Sequence, residues 1–179
     1  MPRLDDDTGL DLGFVAGHDD WGDAPAASST VPDAHDLALR LLTRREHASG
    51  ELARKLQQRG VSREQAQEAL AALNEQGWQS DTRFAEQFAR DHAARGDGPL
   101  KIRAALQQRG VKAALIDEAL RALEVDWLAA ACAARGKRFG DELPQNAADS
   151  MRQQRFLMTR GFNASDARAA VRTRHFEQD

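Results

Sequence analysis

Leu56-Gln-Gln-Arg-Gly-Val61 returns unchanged as Leu106-Gln-Gln-Arg-Gly-Val111, and Leu157-Met-Thr-Arg-Gly-Phe162 keeps the Leu, the Arg, the Gly and the apolar end. The copies stand 50 and then 51 residues apart, a spacing that marks an internal repeat. Each hexad has the chemistry of a helix ending. Gly takes the left-handed position just past the helix, and the apolar residue after it drops back as the hydrophobic contact of that cap. The Arg before each Gly, namely Arg59, Arg109 and Arg160, sits in a last turn where a cation suits the helix dipole.

Outward from each hexad, apolar positions recur three and four apart, so each copy reads as three helices. In the first copy Asp33 caps a helix carrying Leu37 and Leu41, and Ser49 caps a second carrying Leu52 and Leu56. Ser62 with Gln65 is a capping box for a third helix, whose stripe is Ala66, Ala69, Leu70 and Leu73 and which ends at Gly77. The second copy opens near Ser80 or Asp81 with Phe84, Ala85, Phe88 and Ala89 on one face. Gly98-Pro99 then starts a middle helix through Ile102 and Leu106, before a last helix with Leu115, Ile116, Ala119, Leu120 and Leu123. The third copy is looser. It has Trp127, Leu128, Ala131 and Cys132 first, a loop over 135–144, a helix through Phe156 and Leu157, and a last helix from Ser165 through Ala167, Ala170 and Val171 towards Phe176. The aromatics Trp78, Phe84, Phe88 and Trp127 read as core packing, since Phe84 and Phe88 lie four apart on one stripe.

Composition agrees with an all-α fold: aromatics are 6%, Tyr is absent, and Ala, Leu, Arg, Glu and Gln dominate, residues that lose little side-chain entropy in a helix. The expected architecture is a tandem array of three three-helix repeats, 33–77, 78–124 and 125–179, forming an elongated, curved molecule. Before it, residues 1–32 read as a disordered acidic N-terminal extension. The formal net charge of −3 hides an asymmetry, because residues 1–36 hold nine Asp against Arg3 alone and the remainder carries 19 acids and 24 bases. The single Cys132 has no partner for a disulfide, which suits a reducing compartment, so a cytoplasmic protein is expected; a monomer is expected as well, though no residue fixes the oligomeric state. The first residues lack the apolar core of a secretory signal, and no run approaches the roughly 20 apolar residues of a membrane helix.

The bases of the body recur with the repeat. Arg54 and Lys55, Lys101 and Arg103, and Arg152 and Arg155 fall on the three middle helices, and Arg59, Arg109 and Arg160 follow them at the turns. A solvated helix face accounts for any one set, while the recurrence favours one shared basic surface for phosphate or carboxylate partners. For the turn arginines the dipole reading and the binding reading both stand. Chemistry of other kinds finds no support. His18, His35, His47, His92 and His175 share no ligand spacing, and neither a Walker loop nor a dinucleotide fingerprint is present, so the chain is expected to be no enzyme and to need no metal or cofactor.

Asp81-Thr-Arg-Phe-Ala-Glu-Gln-Phe-Ala-Arg90, followed by Gly98-Pro-Leu-Lys-Ile102 and the second hexad, resembles the central signature of the RecX regulatory family. Ala38 to Leu56, with Arg45, Ser49, Glu51 and Leu52, resembles that family's first repeat, and Arg155-Phe-Leu-Met-Thr-Arg-Gly-Phe162 its third, so the likeness runs from residue 34 to about 176. The first helix of the third copy departs from it by lacking the paired Phe of the second. The resemblance implies a cytoplasmic, non-catalytic protein that binds RecA or the RecA–DNA filament. It would lie in the filament groove, make some weak contact with single- or double-stranded DNA, and inhibit the ATPase, recombinase and coprotease activities that serve DNA repair and the SOS response. A direct DNA-binding regulator of helix-turn-helix type is the alternative, and a body of only modest positive charge argues against it.

Overall fold

The computed structural model describes residues 33–173, and the acidic extension expected over 1–32 and the end of the last helix towards Phe176 lie outside them. Among the described residues there are nine α-helices and no strand: α1 Ala34–Leu42, α2 Ser49–Gln57, α3 Arg63–Glu75, α4 Asp81–Ala94, α5 Pro99–Gln108, α6 Ala113–Ala122, α7 Trp127–Phe139, α8 Ala147–Thr159 and α9 Ala164–Ala170. They pack as three consecutive triplets. Within each triplet every helix touches the other two, so each module closes on its own core.

The hexads end their helices as their chemistry requires. Gly60, Gly110 and Gly161 adopt φ of +86°, +88° and +89°, and the amides of Val61, Val111 and Phe162 donate back to the carbonyls of Leu56, Leu106 and Leu157 at 3.2, 3.2 and 3.1 Å. This is the Schellman geometry, and it drops each apolar residue into the core, where Val61, Val111 and Phe162 are buried. The capping box of α3 forms in both directions, Ser62 Oγ accepting from the Gln65 amide and Gln65 Oε1 accepting from the Ser62 amide, each at 3.1 Å. The α3 stripe of Ala66, Ala69, Leu70 and Leu73 is buried as a set, and each leucine contributes about 1.5–3 kcal/mol through its burial.

Three expectations need correction. The residue that caps α2 is Ala48, which has no side-chain oxygen, and Ser49 is already helical. The expected loop at 135–144 is shorter, because α7 runs on through Arg135 and Gly136 to Phe139. Two contacts hold that last turn: the fully buried Arg135 donates to the Glu142 carbonyl at 2.8 Å, and Phe139 meets Phe156 edge to face with ring centroids 5.3 Å apart. Finally, Trp78 is 59% exposed at the α3–α4 turn instead of packing in the core, while Phe84 is buried and Trp127 is half-buried against both the second and the third cores.

Candidate functional site

The middle helices α2, α5 and α8 carry most of the candidate cations, so what positions those helices decides where the charges go. At the first junction Asp81, the first residue of α4, supplies the cap that Ala48 lacks. Its carboxylate accepts from the Ser49 amide at 2.8 Å and from the Ser49 hydroxyl at 2.6 Å. Gly50 then lies so close to the turn of the next module that a Cβ there would stand 2.7 Å from the Arg109 carbonyl oxygen. Arg54 bridges the same gap, donating to the Gln108 carbonyl at 2.8 Å.

The second junction reuses the device with other side chains. The Gly98 amide donates to the Arg160 carbonyl at 2.8 Å and the Leu100 amide to the Gly161 carbonyl at 3.0 Å. Lys101 covers Gly161 so tightly that a Cβ on that glycine would meet the Lys101 Cβ at 2.3 Å. The Arg-Gly turn therefore has a role that its sequence did not disclose: it is the seat on which the middle helix of the preceding module starts. The small residues Gly50 and Gly98 at those starts were the only hint.

The nine candidate cations divide by what they meet. Five are in ion pairs: Lys55 with Glu51 at 2.9 Å, Lys101 with Asp97 at 2.7 Å, Arg103 with Asp117, Arg152 with Asp149 at 2.6 Å and Arg160 with Asp97 at 3.6 Å. Four meet backbone carbonyls only. Arg54 holds Gly50 and Gln108, Arg59 holds Lys55 at 3.0 Å, Arg109 holds Ala105 at 2.8 Å with its guanidinium 4.6 Å over the Phe88 ring, and Arg155 reaches Met151 at 3.4 Å. Arg54, Lys55 and Arg109 share a concavity at the first junction with Glu51. Arg152 lines a second, mixed-charge one with Glu142 and Asp149. Arg160 lines a third at the second junction, together with Arg95, Lys137 and Arg138. Arg59, Lys101, Arg103 and Arg155 line none of these three.

Two acids set the local balance. Burial alone would raise the Glu51 carboxyl, but a hydrogen bond from Lys55 and the charges of Arg45, Lys55 and, in acid, the protonated His47 ring override it and hold it at about 2. Burial also pushes the neighbouring His47 imidazole below its ordinary value, helped by Arg45, so near neutral pH His47 is an uncharged ring bonded to Glu51 through Nδ1 at 3.0 Å. Asp97 follows the same pattern: its burial is outweighed by hydrogen bonds from Lys101 and His92, and its carboxyl is lowered. Glu51 and Asp97 are thus charged at neutral pH and partner Lys55 and Lys101. Of these two lysines, Lys101 lies against Gly161 of the next module, while Lys55 stays within its own helix.

Sequence reasoning missed Arg95, Lys137 and Arg138. The adjacent bases in Ala133-Ala-Arg-Gly-Lys-Arg138 were visible, but Arg135 to Pro144 read as a loop, which took the pair off any helix face.

Comparison with known proteins places these features in a family. Models of the first, second and third three-helix domains of RecX match residues 34–73, 80–120 and 124–171. The chain is 49% identical over 149 residues to "Regulatory protein RecX" of Halorhodospira halophila, covering 83% of this chain and 91% of that protein. With the protein of the same name from Stenotrophomonas maltophilia (strain K279a) it shares 44% over 135 residues, 75% of this chain and 83% of the relative. The crystal structure of RecX from Lactobacillus salivarius has the same fold at 18% identity, with a TM-score of 0.67 over 79% of this chain and 94% of that one. With all three helical triplets matched in order and nearly half the residues shared with a relative across most of both lengths, the chain belongs to the RecX family.

Proposed function

We propose that this chain regulates a RecA recombinase by binding RecA or the RecA–DNA filament and restraining its ATPase, recombinase and coprotease activities. The observation that carries this reading is family membership over three consecutive modules, with relatives named as regulatory proteins. It acts by contact, without turnover of its own, as a cytoplasmic monomer in DNA repair and the SOS response. The modules of 33–77, 78–124 and 125–179 work as one unit, because the middle helices of the first two are each seated on the turn of the next module. Contact with DNA is secondary to contact with RecA.

The partner face includes Arg54, Lys55, Arg59, Lys101, Arg103, Arg109, Arg152, Arg155 and Arg160. Within it Arg59 and Arg155 are the best placed to contribute, since both are exposed and neither is matched by an acid. A desolvated charge that must first abandon an internal partner gains less from a new one. The test is a titration of the purified chain into a RecA ATPase assay on single-stranded DNA, beside an Arg59→Glu/Arg155→Glu variant. The wild type should inhibit and the variant should need at least about tenfold more protein, as loss of two charge-assisted contacts requires. A folded wild type that leaves the ATPase rate unchanged defeats the reading. An equally potent variant defeats the choice of those two residues.

A further inference from the structure

We infer that the junction between the second and third modules is a binding site for a phosphate group, and that the backbone of a nucleic acid supplies it. Arg95 and Gly96, just past α4, face Ala134, Lys137 and Arg138 of α7, Phe156 of α8 and Arg160 just past it across a concavity of about 140 Å³. Four cations line this small space and no carboxylate does. Among the described residues Arg95, Lys137 and Arg138 have no acid within ion-pair distance, whereas most of the middle-helix bases do or are spent on bridging the modules. Arg160 lies 3.6 Å from Asp97, but that carboxylate already serves Lys101 and His92, so the balance at the rim stays positive.

The composition of the rim chooses among oxyanions. One guanidinium fork satisfies a planar carboxylate with two parallel hydrogen bonds, so three arginines and a lysine exceed what a carboxylate can use. A tetrahedral phosphate presents oxygens in several directions and tolerates donors from two modules at once. The shape also explains why the cations are held together: Arg95 is tied to the Asp91 carbonyl at 2.9 Å, and the Arg160 guanidinium rests 5.5 Å from the centre of the Phe156 ring. Both forks are therefore positioned before any ligand arrives, which lowers the cost of ordering them on binding. The phosphate chemistry is independent of the RecA reading, and only its assignment to the DNA of a filament rests on it.

The experiment uses the full chain without RecA. Binding of a short labelled single-stranded oligonucleotide is measured across salt concentrations for the wild type, for Lys137→Gln/Arg138→Gln and Arg95→Gln, and for a charge-matched control, Lys112→Gln/Arg121→Gln, on exposed positions of α6 and its cap. Amide shifts at Gly96 and Ala134 are followed in inorganic phosphate and in chloride of equal ionic strength. Both site variants should bind about tenfold more weakly, and the double variant should lower the slope of log K against log salt by roughly 0.7–1.4, as one or two lost phosphate contacts on a single strand predict. The control should match the wild type. Shifts in phosphate without binding of the oligonucleotide would leave the phosphate site standing and refute nucleic acid as its source. Binding by the site variants equal to that of the wild type, or a poly-glutamate competitor as effective as the oligonucleotide, would overturn the inference.

Discussion

The two junctions of this chain solve one geometric problem with different side chains. In both, the start of a middle helix lands on the Arg-Gly turn of the next module, with glycine permitting the approach at Gly50 and Gly110 in the first and at Gly98 and Gly161 in the second. At the first junction several acids take part: Asp81 caps α2, Glu46 pairs with Arg83 at 3.1 Å, and Glu51 gathers Arg45, His47 and Lys55. At the second, backbone hydrogen bonds make the joint and a single acid, Asp97, faces more cations than it can match. The backbone device is general to the array, while the side chains around it are free to specialise: the first junction reads as a joint, and the second as a joint with an open charge.

The sharpest way to break this comparison is to set an engaged turn against a bare one. Gly161 and Gly60 have nearly the same positive φ, yet a Cβ at Gly161 meets Lys101 at 2.3 Å while a Cβ at Gly60 meets nothing within 4 Å. Gly60→Ala should cost about 1–2 kcal/mol from the left-handed backbone alone. Gly161→Ala carries that cost and about 1–3 kcal/mol more, because the clash forces the two modules apart. Urea unfolding of both variants measures the gap, and equal losses would mean that the turn is no seat at all. A smaller effect tests the cap supplied across the first junction. Asp81→Ala should lose about 1–2 kcal/mol, at least as much as Ser62→Ala in a cap internal to one module, since it strips both the amide and the hydroxyl of Ser49 of their acceptor.

Why one half of this picture was legible in the sequence and the other was not follows from the range of the interactions. Hexads, capping box and stripes act within a turn or two of helix, so Gly60, Ser62 and the Ala66 to Leu73 stripe announced themselves. Even there size misled: Leu37 and Leu41 drew the eye in α1, yet the residue with no exposure is Ala38, where only a small side chain fits against α3. The junctions escaped because their acceptors are backbone carbonyls at large separations, Gln108 for the Arg54 side chain and Arg160 for the Gly98 amide. No residue type signals a carbonyl waiting fifty residues away. Arg135 escaped for a related reason. Among so many exposed arginines nothing marks the one that is wholly buried, and with it the helical turn that carries Lys137 and Arg138 was read as loop.

Glu51 at the first junction also predicts a pH signature. Because the folded-state pKa of Glu51 is depressed to about 2, its contribution is complete above the ordinary carboxylate value and is lost as pH falls from there towards 2. Glu51→Gln should therefore cost about 1 kcal/mol at neutral pH, and the gap between variant and wild type should close on acidification. His47 adds to the acid sensitivity with the same sense: its folded pKa is lowered, so the unfolded chain takes up the proton first and stability declines as pH drops through the ordinary imidazole value. A gap between Glu51→Gln and wild type that persists unchanged at low pH would show that Glu51 acts through packing and not through charge.

The smallest expected effect isolates charge on the middle helices from charge at the junctions. Arg103 pairs with Asp117 inside the second module, and both side chains are substantially exposed, so solvent screens the pair and its ordering costs side-chain entropy. Arg103→Gln should change stability by less than about 0.5 kcal/mol at any salt concentration. Lys101→Gln, two residues away, frees the buried Asp97 from its closest lysine and should cost more, with the difference persisting in high salt because the acid is only 7% exposed. If the two variants behave alike, the distinction between a joint and a solvated face fails at the place where the residues are nearest in sequence, and the recurrence of bases along the repeat would carry no structural meaning.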